Sequence, residues 1–329
     1  MKVLFIGGTG IISSACAPLA IEMGYDLYLL NRSQSTRPTP AGAKVINADI
    51  RKPEAMAEAL GNHTFDAVVQ WIAYHPSQIE DEIKFFRNRI KQYVFISSAS
   101  AYQTPAEILP IRESTPLYNP HWAYSRNKIA CEEALLRAYR EDKFPFTVVR
   151  PSHTYDARCL PFDHGYTVVD RMLKGQPVVV HGDGSSLWTL THHKDFAKGF
   201  VPLLGESRAI GESFHITSDE WLSWNKIYEI VASAFGTEAN LVHVPSEVIA
   251  QVDQSWGAGL LGDKTNSSIF DNSKIKSVVP GFKASISFSQ GAQEIAEYFN
   301  SHPEARDVSK EAYSLQERLI EWAKRPVSD

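Results

Sequence analysis

A chain of 329 residues is long enough for one large or two closely joined domains around a substantial buried core. Hydrophobic residues at 43% and charged residues at 22% exclude a disordered or low-complexity chain, and a formal net charge of −5 with no basic stripe argues against nucleic acid as a partner. Cys16, Cys131 and Cys159 are odd in number and widely spaced, so they suit neither a disulfide framework nor a zinc set and point to a reducing, cytoplasmic setting.

From the N-terminus, Lys2–Ile6 is a short apolar run of strand type, and residues 11–23 follow as a helix. Glycines at 7, 8 and 10 interrupt the run, which makes it a strand and turn rather than a leader peptide. No apolar run is long enough to cross a membrane. Further strands are predicted at 27–30, 44–46 and 66–71, then a helix charged on one side at 78–89 and a strand at 93–97. A long helix at 124–140 and a strand at 146–149 complete the series. Apolar strands alternating with helices indicate α/β architecture: a doubly wound (Rossmann) parallel sheet covered on both faces. After Arg150-Pro151 the texture changes. Residues 155–166 are irregular, and helices are predicted at 224–235 and 309–324, the latter with Leu315, Leu319 and Trp322 on one side. The expected division is an N-terminal sheet domain over 1–150 and a smaller, mixed C-terminal part over 151–329. The second part closes over a substrate and returns some segments to the sheet.

Gly7-Gly8-Thr9-Gly10-Ile11-Ile12-Ser13 follows the first strand and opens the first helix. Gly7 suits a tight turn, and Gly10 lets the backbone approach a pyrophosphate. The free N–H groups and positive end of the helix then face the phosphates. In this strand-turn-helix context the motif predicts dinucleotide binding. Ser13 stands where a third glycine usually sits. After the second strand, Asn31-Arg32 replaces the acid that usually holds an adenine ribose in NAD proteins. Asn31 bonds a ribose hydroxyl without repelling a 2′-phosphate, and Arg32, with Arg37 nearby, suits that phosphate. NADP is therefore expected, with NAD as the alternative. Asp49 and Ile50 are placed beside the adenine, and Ala73, Tyr124 and Lys128 complete the cofactor set with Gly7, Thr9, Gly10, Ile11 and Ile12.

Tyr124 and Lys128 lie four apart on the long helix and share a face. An ammonium one turn away, together with a positively charged nicotinamide ring, favours a phenolate, which suits Tyr124 to exchange a proton with a substrate hydroxyl as hydride leaves the same carbon. The strand before them ends in Ser97-Ser98-Ala99-Ser100, at the sheet edge where ligands bind. A serine there stabilises charge on the reacting oxygen.

In this order, the glycine turn, the serine-rich strand end and the Tyr-x-x-x-Lys helix resemble the extended short-chain dehydrogenase/reductase family, which includes nucleotide-sugar epimerases and dehydratases. Arg150-Pro151, Gly182-Asp183-Gly184, Asp195-Phe196-Ala197 and Phe270-Asp271-Asn272-Ser273-Lys274 extend the resemblance over nearly the whole chain. The branch that it resembles most contains the chloroplast stem-loop-binding proteins. The resemblance implies that Ser98 is the catalytic hydroxyl and Tyr124 the acid/base. Lys128 lowers the tyrosine pKa and holds the nicotinamide ribose. Ala99-Ser100 replaces the acidic pair of the sugar dehydratases, which disfavours a 4,6-dehydratase. Trp188 occupies the place of one diphosphate-binding arginine, and no second arginine is evident at 260–268.

Substrate contacts are expected from Ser100, His153, His164 and Trp188, with Tyr74, His121, Trp122 and Tyr155 as further aromatic or imidazole candidates. His192-His193 gives no metal site, because neighbours on a strand face opposite ways. The expected activity is oxidation or reduction of a sugar-like alcohol or ketone, or its epimerisation, with a nucleotide-sugar 4-epimerase as the narrower alternative. From other classes, a non-catalytic RNA-binding protein and an NADP sensor remain open. A homodimer through the 78–89 and 124–140 helices is a further possibility.

Overall fold

The Val3-Leu4-Phe5-Ile6 run is buried on both faces, as a central parallel strand requires. The computed structural model describes residues 1–325, so 326–329 of the expected C-terminal part lie outside the described residues. The first six strands are β1 (Lys2–Ile6), β2 (Asp26–Asn31), β3 (Lys44–Asn47), β4 (Phe65–Gln70), β5 (Ile90–Ile96) and β6 (Phe146–Pro151). Then come β7 (His153–Tyr155), β8 (Val178–His181), β9 (Leu187–Trp188), β10 (Leu190–His192), β11 (Ser213–Ile216), β12 (Leu222–Ser223) and β13 (Leu241–Val244). Seven strands form one parallel sheet in the order β11-β6-β5-β4-β1-β2-β3. The order reverses between β1 and β4. Ligands of open parallel sheets bind outside the strand C-termini at that point.

The helices that cover the sheet are α1 (Ser13–Glu22), α2 (Pro53–Leu60), α3 (Pro76–Phe86) and α4 (Ala123–Asp142). One face packs Cys16, Ala17, Phe196 and Phe200 against Phe5 and Val69. The other packs Ile79, Ile83, Cys131 and Leu135 against Leu4, Val68 and Phe95. The remaining helices are α5 (Tyr166–Leu173), α6 (His193–Phe200), α7 (Trp224–Ala234), α8 (Ser246–Val252) and α9 (Gln254–Gly259). After them come α10 (Ser273–Val278), α11 (Phe288–Ser301) and α12 (Lys310–Ala323). Beyond β6 the chain builds a second core from Tyr155, Phe162, Trp188, Trp224, Ile227 and Ile295. That lobe holds three two-stranded sheets, while β11 returns to the main sheet beside β6.

Several boundaries move from their sequence-based positions, each for a local reason. Helix α3 starts at Pro76 because the Gln78 side chain accepts from the N–H groups of Tyr74 (2.9 Å) and His75 (3.1 Å). It stops at Phe86, and Asn88 turns left-handed at φ +60°, which frees Ile90 to begin β5 early. Helix α2 was not expected. It opens on a proline and buries only Met56 and Leu60, too few apolar positions to show a period. His192 ends β10 and His193 begins α6, so the two rings meet edge-on at 4.8 Å instead of facing opposite ways. His192 then pairs with Glu294, and His193 reaches the carbonyl of Ile11.

Candidate active site

Two cavities meet at the C-terminal ends of β4, β5 and β6. The larger, of about 970 Å³, runs from the glycine turn past Asn31, Arg32, Asp49 and Ile50 to Ser98, Tyr124 and Lys128. Its volume is at the upper end of the roughly 300–1,000 Å³ typical of small-molecule sites. The smaller, of about 220 Å³, shares Ser98, Tyr124, Pro151 and Ser152 with it and continues to Ser100, Trp122, His153, Trp188 and Asp263-Lys264.

The glycine turn is as tight as its sequence requires. Gly7 and Gly8 have φ of +99° and +94°, and a Cβ on Gly8 would lie 2.9 Å from Leu29. Ser13 is buried and accepts a hydrogen bond from the Gly10 N–H at 2.8 Å, so it braces the loop from within. Thr9, Gly10, Ile11 and Ile12 line the cleft at the start of α1.

At the far end of the cleft the cations are committed unequally. Arg51 grips Asp49 through several hydrogen bonds, and this partner holds the Asp49 carboxyl well below the usual range. Arg37, expected beside Arg32 for a 2′-phosphate, instead forms an ion pair with the buried Asp156 of the second lobe. Arg32 lines the cleft and forms no ion pair among the described residues. The Asn31 side-chain Oδ1 accepts from the Ser33 N–H at 2.8 Å, which leaves the side-chain N–H groups for a ligand.

Ser98 and Tyr124 line both cavities where they join, and Lys128 lines the larger. The Ser125 hydroxyl donates to Ser100 Oγ at 2.7 Å, and Ser100 lies 2.9 Å from Ser98 Oγ. With Ser100 accepting from Ser125, its own proton goes to Ser98, and the Ser98 proton is left for Tyr124 or a ligand. Ser100 lines the smaller cavity, but its hydroxyl is occupied in positioning Ser98. Lys128 is buried and donates to the carbonyl oxygens of Ala73 (2.8 Å) and Ile96 (2.9 Å). Ala73 therefore enters through its carbonyl, behind the cleft wall. Burial lowers the Lys128 pKa to about 8.

In the ligand-free protein, before any nicotinamide charge is added, Lys128 alone does not draw Tyr124 towards phenolate. Burial pushes the Tyr124 hydroxyl up to about 12, the Ser98 hydrogen bond opposes that rise, and Tyr74 and Asp263 add to it. The lysine ammonium is 5.8 Å from the tyrosine ring and turned to backbone carbonyls. Tyr124 is a protonated acid in this state.

In the smaller cavity the Trp188 indole N–H donates to His153 Nδ1 at 3.2 Å. The neutral His153 ring therefore carries its proton on Nε2, and burial pushes its pKa down to about 4. Trp122 packs at a tilt 4.8 Å from the Tyr124 ring, and Tyr74 lines the larger cleft. His164 is not brought to this pocket. Its ring packs 4.5 Å from Trp256 and meets Gln316 in a separate cavity of the second lobe. Tyr155 is fully buried between Phe288 and His192, and exposed His121 lines neither cavity.

Sequence reasoning missed Ser125, Asn119 and the Arg150–Glu132 pair. Asn119 donates to the carbonyls of Ser100 (2.9 Å) and Gly262 (2.6 Å) and accepts from the Trp122 N–H (3.0 Å). It ties together three walls of the smaller cavity. Arg150 and Glu132 form a buried ion pair at 2.6 Å, and Glu132 also accepts from Ser97. Ser125 adjoins the motif tyrosine and was a legible signal. Asn119 carried none, because its partners are remote in sequence.

The larger cleft fits a dinucleotide: a glycine turn for phosphates, an uncommitted guanidinium at one end and a hydroxyl-ammonium cluster at the other. The family model for the NAD dependent epimerase/dehydratase family matches residues 3–217. The 2′-dehydrokanamycin reductase of Streptomyces kanamyceticus is 24% identical over 86% of this chain and 80% of its own length. The chloroplast stem-loop binding protein of 41 kDa b of Arabidopsis thaliana is 25% identical over 74% of this chain and 65% of its own. Among solved structures, UDP-glucose 4-epimerase from Bifidobacterium longum in complex with NAD+ and UDP has a TM-score of 0.75 at 18% identity, over 93% of this chain and 100% of that one. That likeness shows the fold. Among the described residues no helix is long and apolar enough to cross a membrane. With the glycine turn, the sheet order and the Ser98-Tyr124-Lys128 junction in place, the family match over residues 3–217 settles the assignment: the chain belongs to the NAD-dependent epimerase/dehydratase family.

Proposed function

We propose that the chain is an NADP-dependent oxidoreductase that reduces a keto group, or oxidises the matching hydroxyl, on a sugar-like substrate. The observation that carries this is the placement of Ser98, Tyr124 and Lys128 where a dinucleotide-sized cleft meets a small aromatic pocket. Ser98, Tyr124 and Lys128 are the proposed catalytic residues. Gly7, Thr9, Gly10, Ile11, Ile12, Asn31, Arg32, Asp49 and Ile50 are the proposed cofactor contacts.

When bound, the dinucleotide supplies or accepts the hydride. Tyr124, held protonated by burial, donates its proton to the substrate oxygen as negative charge develops there. Ser98 donates a second hydrogen bond to the same oxygen, backed by Ser100 and Ser125. The Lys128 proton not used by Ala73 and Ile96 is free for a ribose hydroxyl. A protonated Tyr124 is the form that donates when a keto group is reduced. The Streptomyces kanamyceticus relative, a 2′-dehydrokanamycin reductase, is in keeping with reduction. Arg32, uncommitted beside the adenosine end, supports NADP over NAD.

The test is NADPH consumption by the purified chain across a panel of keto sugars. Turnover that Tyr124→Phe abolishes is the expected result. Absence of both turnover and NADPH binding would refute the proposal.

A further inference from the structure

Asp263 and Lys264 are assigned no proton transfer or substrate contact in that chemistry, yet both line the 220 Å³ pocket beside Tyr124. They sit on a π-helical turn, Leu260–Lys264, a rare backbone form that is frequent at functional sites. Lys264 is only 9% exposed. Among the described residues, neither its ammonium nor the Asp263 carboxyl forms a hydrogen bond or an ion pair, with each other or with anything else. The Lys264 ammonium rests over the Trp122 ring at 5.7 Å and Asp263 is half-buried, so both head groups face the pocket with hydrogen-bonding capacity unused, an arrangement that a ligand completes.

The turn is fixed against the catalytic helix. A Cβ on Gly262 would lie 2.7 Å from Trp122 Cβ and 3.0 Å from Asn119 Oδ1, so only glycine permits the approach. Asn119 Nδ2 then donates to the Gly262 carbonyl at 2.6 Å. The two charges thereby keep a set relation to Tyr124.

Charge and size define what fits. Burial raises the Asp263 carboxyl to about 6, which leaves it mostly ionised at neutral pH. His153 is neutral, so one carboxylate and one ammonium remain in the lining, and they balance. An uncharged ligand preserves that balance. A diphosphate would bring negative charge to a lining that holds no arginine among the described residues. The volume lies below the roughly 300–1,000 Å³ of drug-sized sites and suits one ring. Trp122 and Trp188 offer apolar faces to such a ring. A hydroxyl both donates and accepts, a carboxylate only accepts and an ammonium only donates.

We propose that Asp263 and Lys264 are specificity-determining residues that accept from and donate to hydroxyls of an uncharged, single-ring sugar carrying no nucleotide. This rests on the sugar-like substrate proposed above and narrows it.

The test is calorimetric binding to the NADPH-loaded protein, which cannot oxidise a hydroxyl sugar. The probes are the neutral D-glucose, D-galactose and D-mannose, the anionic gluconate and glucose 6-phosphate, and UDP-glucose. At least one neutral sugar is expected to bind at least tenfold more tightly than the three anionic probes. Asp263→Asn and Lys264→Met are each expected to weaken it at least tenfold while NADPH affinity stays unchanged, which also reports intact folding. Tighter binding of an anionic probe, binding of none, or variants that bind like the wild type would overturn the proposal. Failure of the wild type to bind NADPH appears separately in the loading titration and would overturn the cofactor assignment beneath it.

Discussion

Along the dinucleotide cleft the recognition groups are mostly backbone, or side chains one or two residues past a strand end: the turn after β1, Asn31-Arg32 after β2, Asp49-Ile50 after β3. In the smaller pocket they are side chains drawn from separate segments around 98–100, 122–124, 151–153, 188–189 and 263–270. The first region is specified locally, and its contacts follow from where each parallel strand stops. The second exists only once the two lobes are packed together, with Asn119 and Gly262 joining its walls. One half can therefore be perturbed without the other.

The largest separation is expected from Tyr124→Phe. It should lower turnover by about 10²–10⁴, the usual worth of a general acid, with NADPH affinity unchanged in a calorimetric titration. A comparable loss of cofactor binding would mean that the two regions are not independent. Next is the support beneath both. Glu132→Gln leaves the buried Arg150 guanidinium without its carboxylate, which should cost about 3–5 kcal/mol in urea unfolding. A cost near zero would show that water reaches the pair.

Arg32→Ala should touch the cleft alone. Losing a charge-assisted bond to a 2′-phosphate costs about 1.5–3 kcal/mol, about tenfold to a hundredfold in NADPH affinity, with NADH affinity and sugar KM unchanged. The smallest expected change is from Ser125→Ala, which removes the donor behind Ser100 and Ser98. About 1 kcal/mol of transition-state stabilisation should appear in kcat and not in KM.

Lys128 gives a pH signature with two opposite signs. Burial lowers its pKa to about 8 from the usual 10.5. Below about 8 the ammonium is present in folded and unfolded chains alike. Between about 8 and 10.5 the unfolded chain holds a proton that the folded chain has released, so stability rises with pH there. The grip on a ribose hydroxyl falls over the same window, because the charge is lost. Tm and NADPH affinity should thus diverge above about pH 8, and Lys128→Met should remove the divergence.

The sheet was legible because buried parallel strands are short apolar runs between turn residues, a pattern that β1, β2, β4, β5 and β6 show, whereas the edge strand β3 is largely exposed. Helix α4 was legible from length and composition. The convergence of Ser98, Tyr124 and Lys128 on one cleft was legible because Tyr124 and Lys128 are one helical turn apart and Ser98 closes a strand. What the sequence hid is long-range. Nothing near Arg37 in sequence announces Asp156, nothing near His164 announces Trp256, and the Asp263-Lys264 turn looks like a loop until Trp122 packs against Gly262. The protonated state of Tyr124 was hidden for the same reason. Burial, which sets it, is a property of the assembled pocket and not of the spacing to Lys128.

The central claim is that the larger cleft holds NADPH through Arg32 and the glycine turn. Parallel titrations of the wild-type chain with NADPH and NADH test it most directly. The account predicts one saturable site per chain that takes NADPH at least tenfold more tightly than NADH. Equal affinities would contradict the role of Arg32, and no binding of either would contradict the assignment of the cleft.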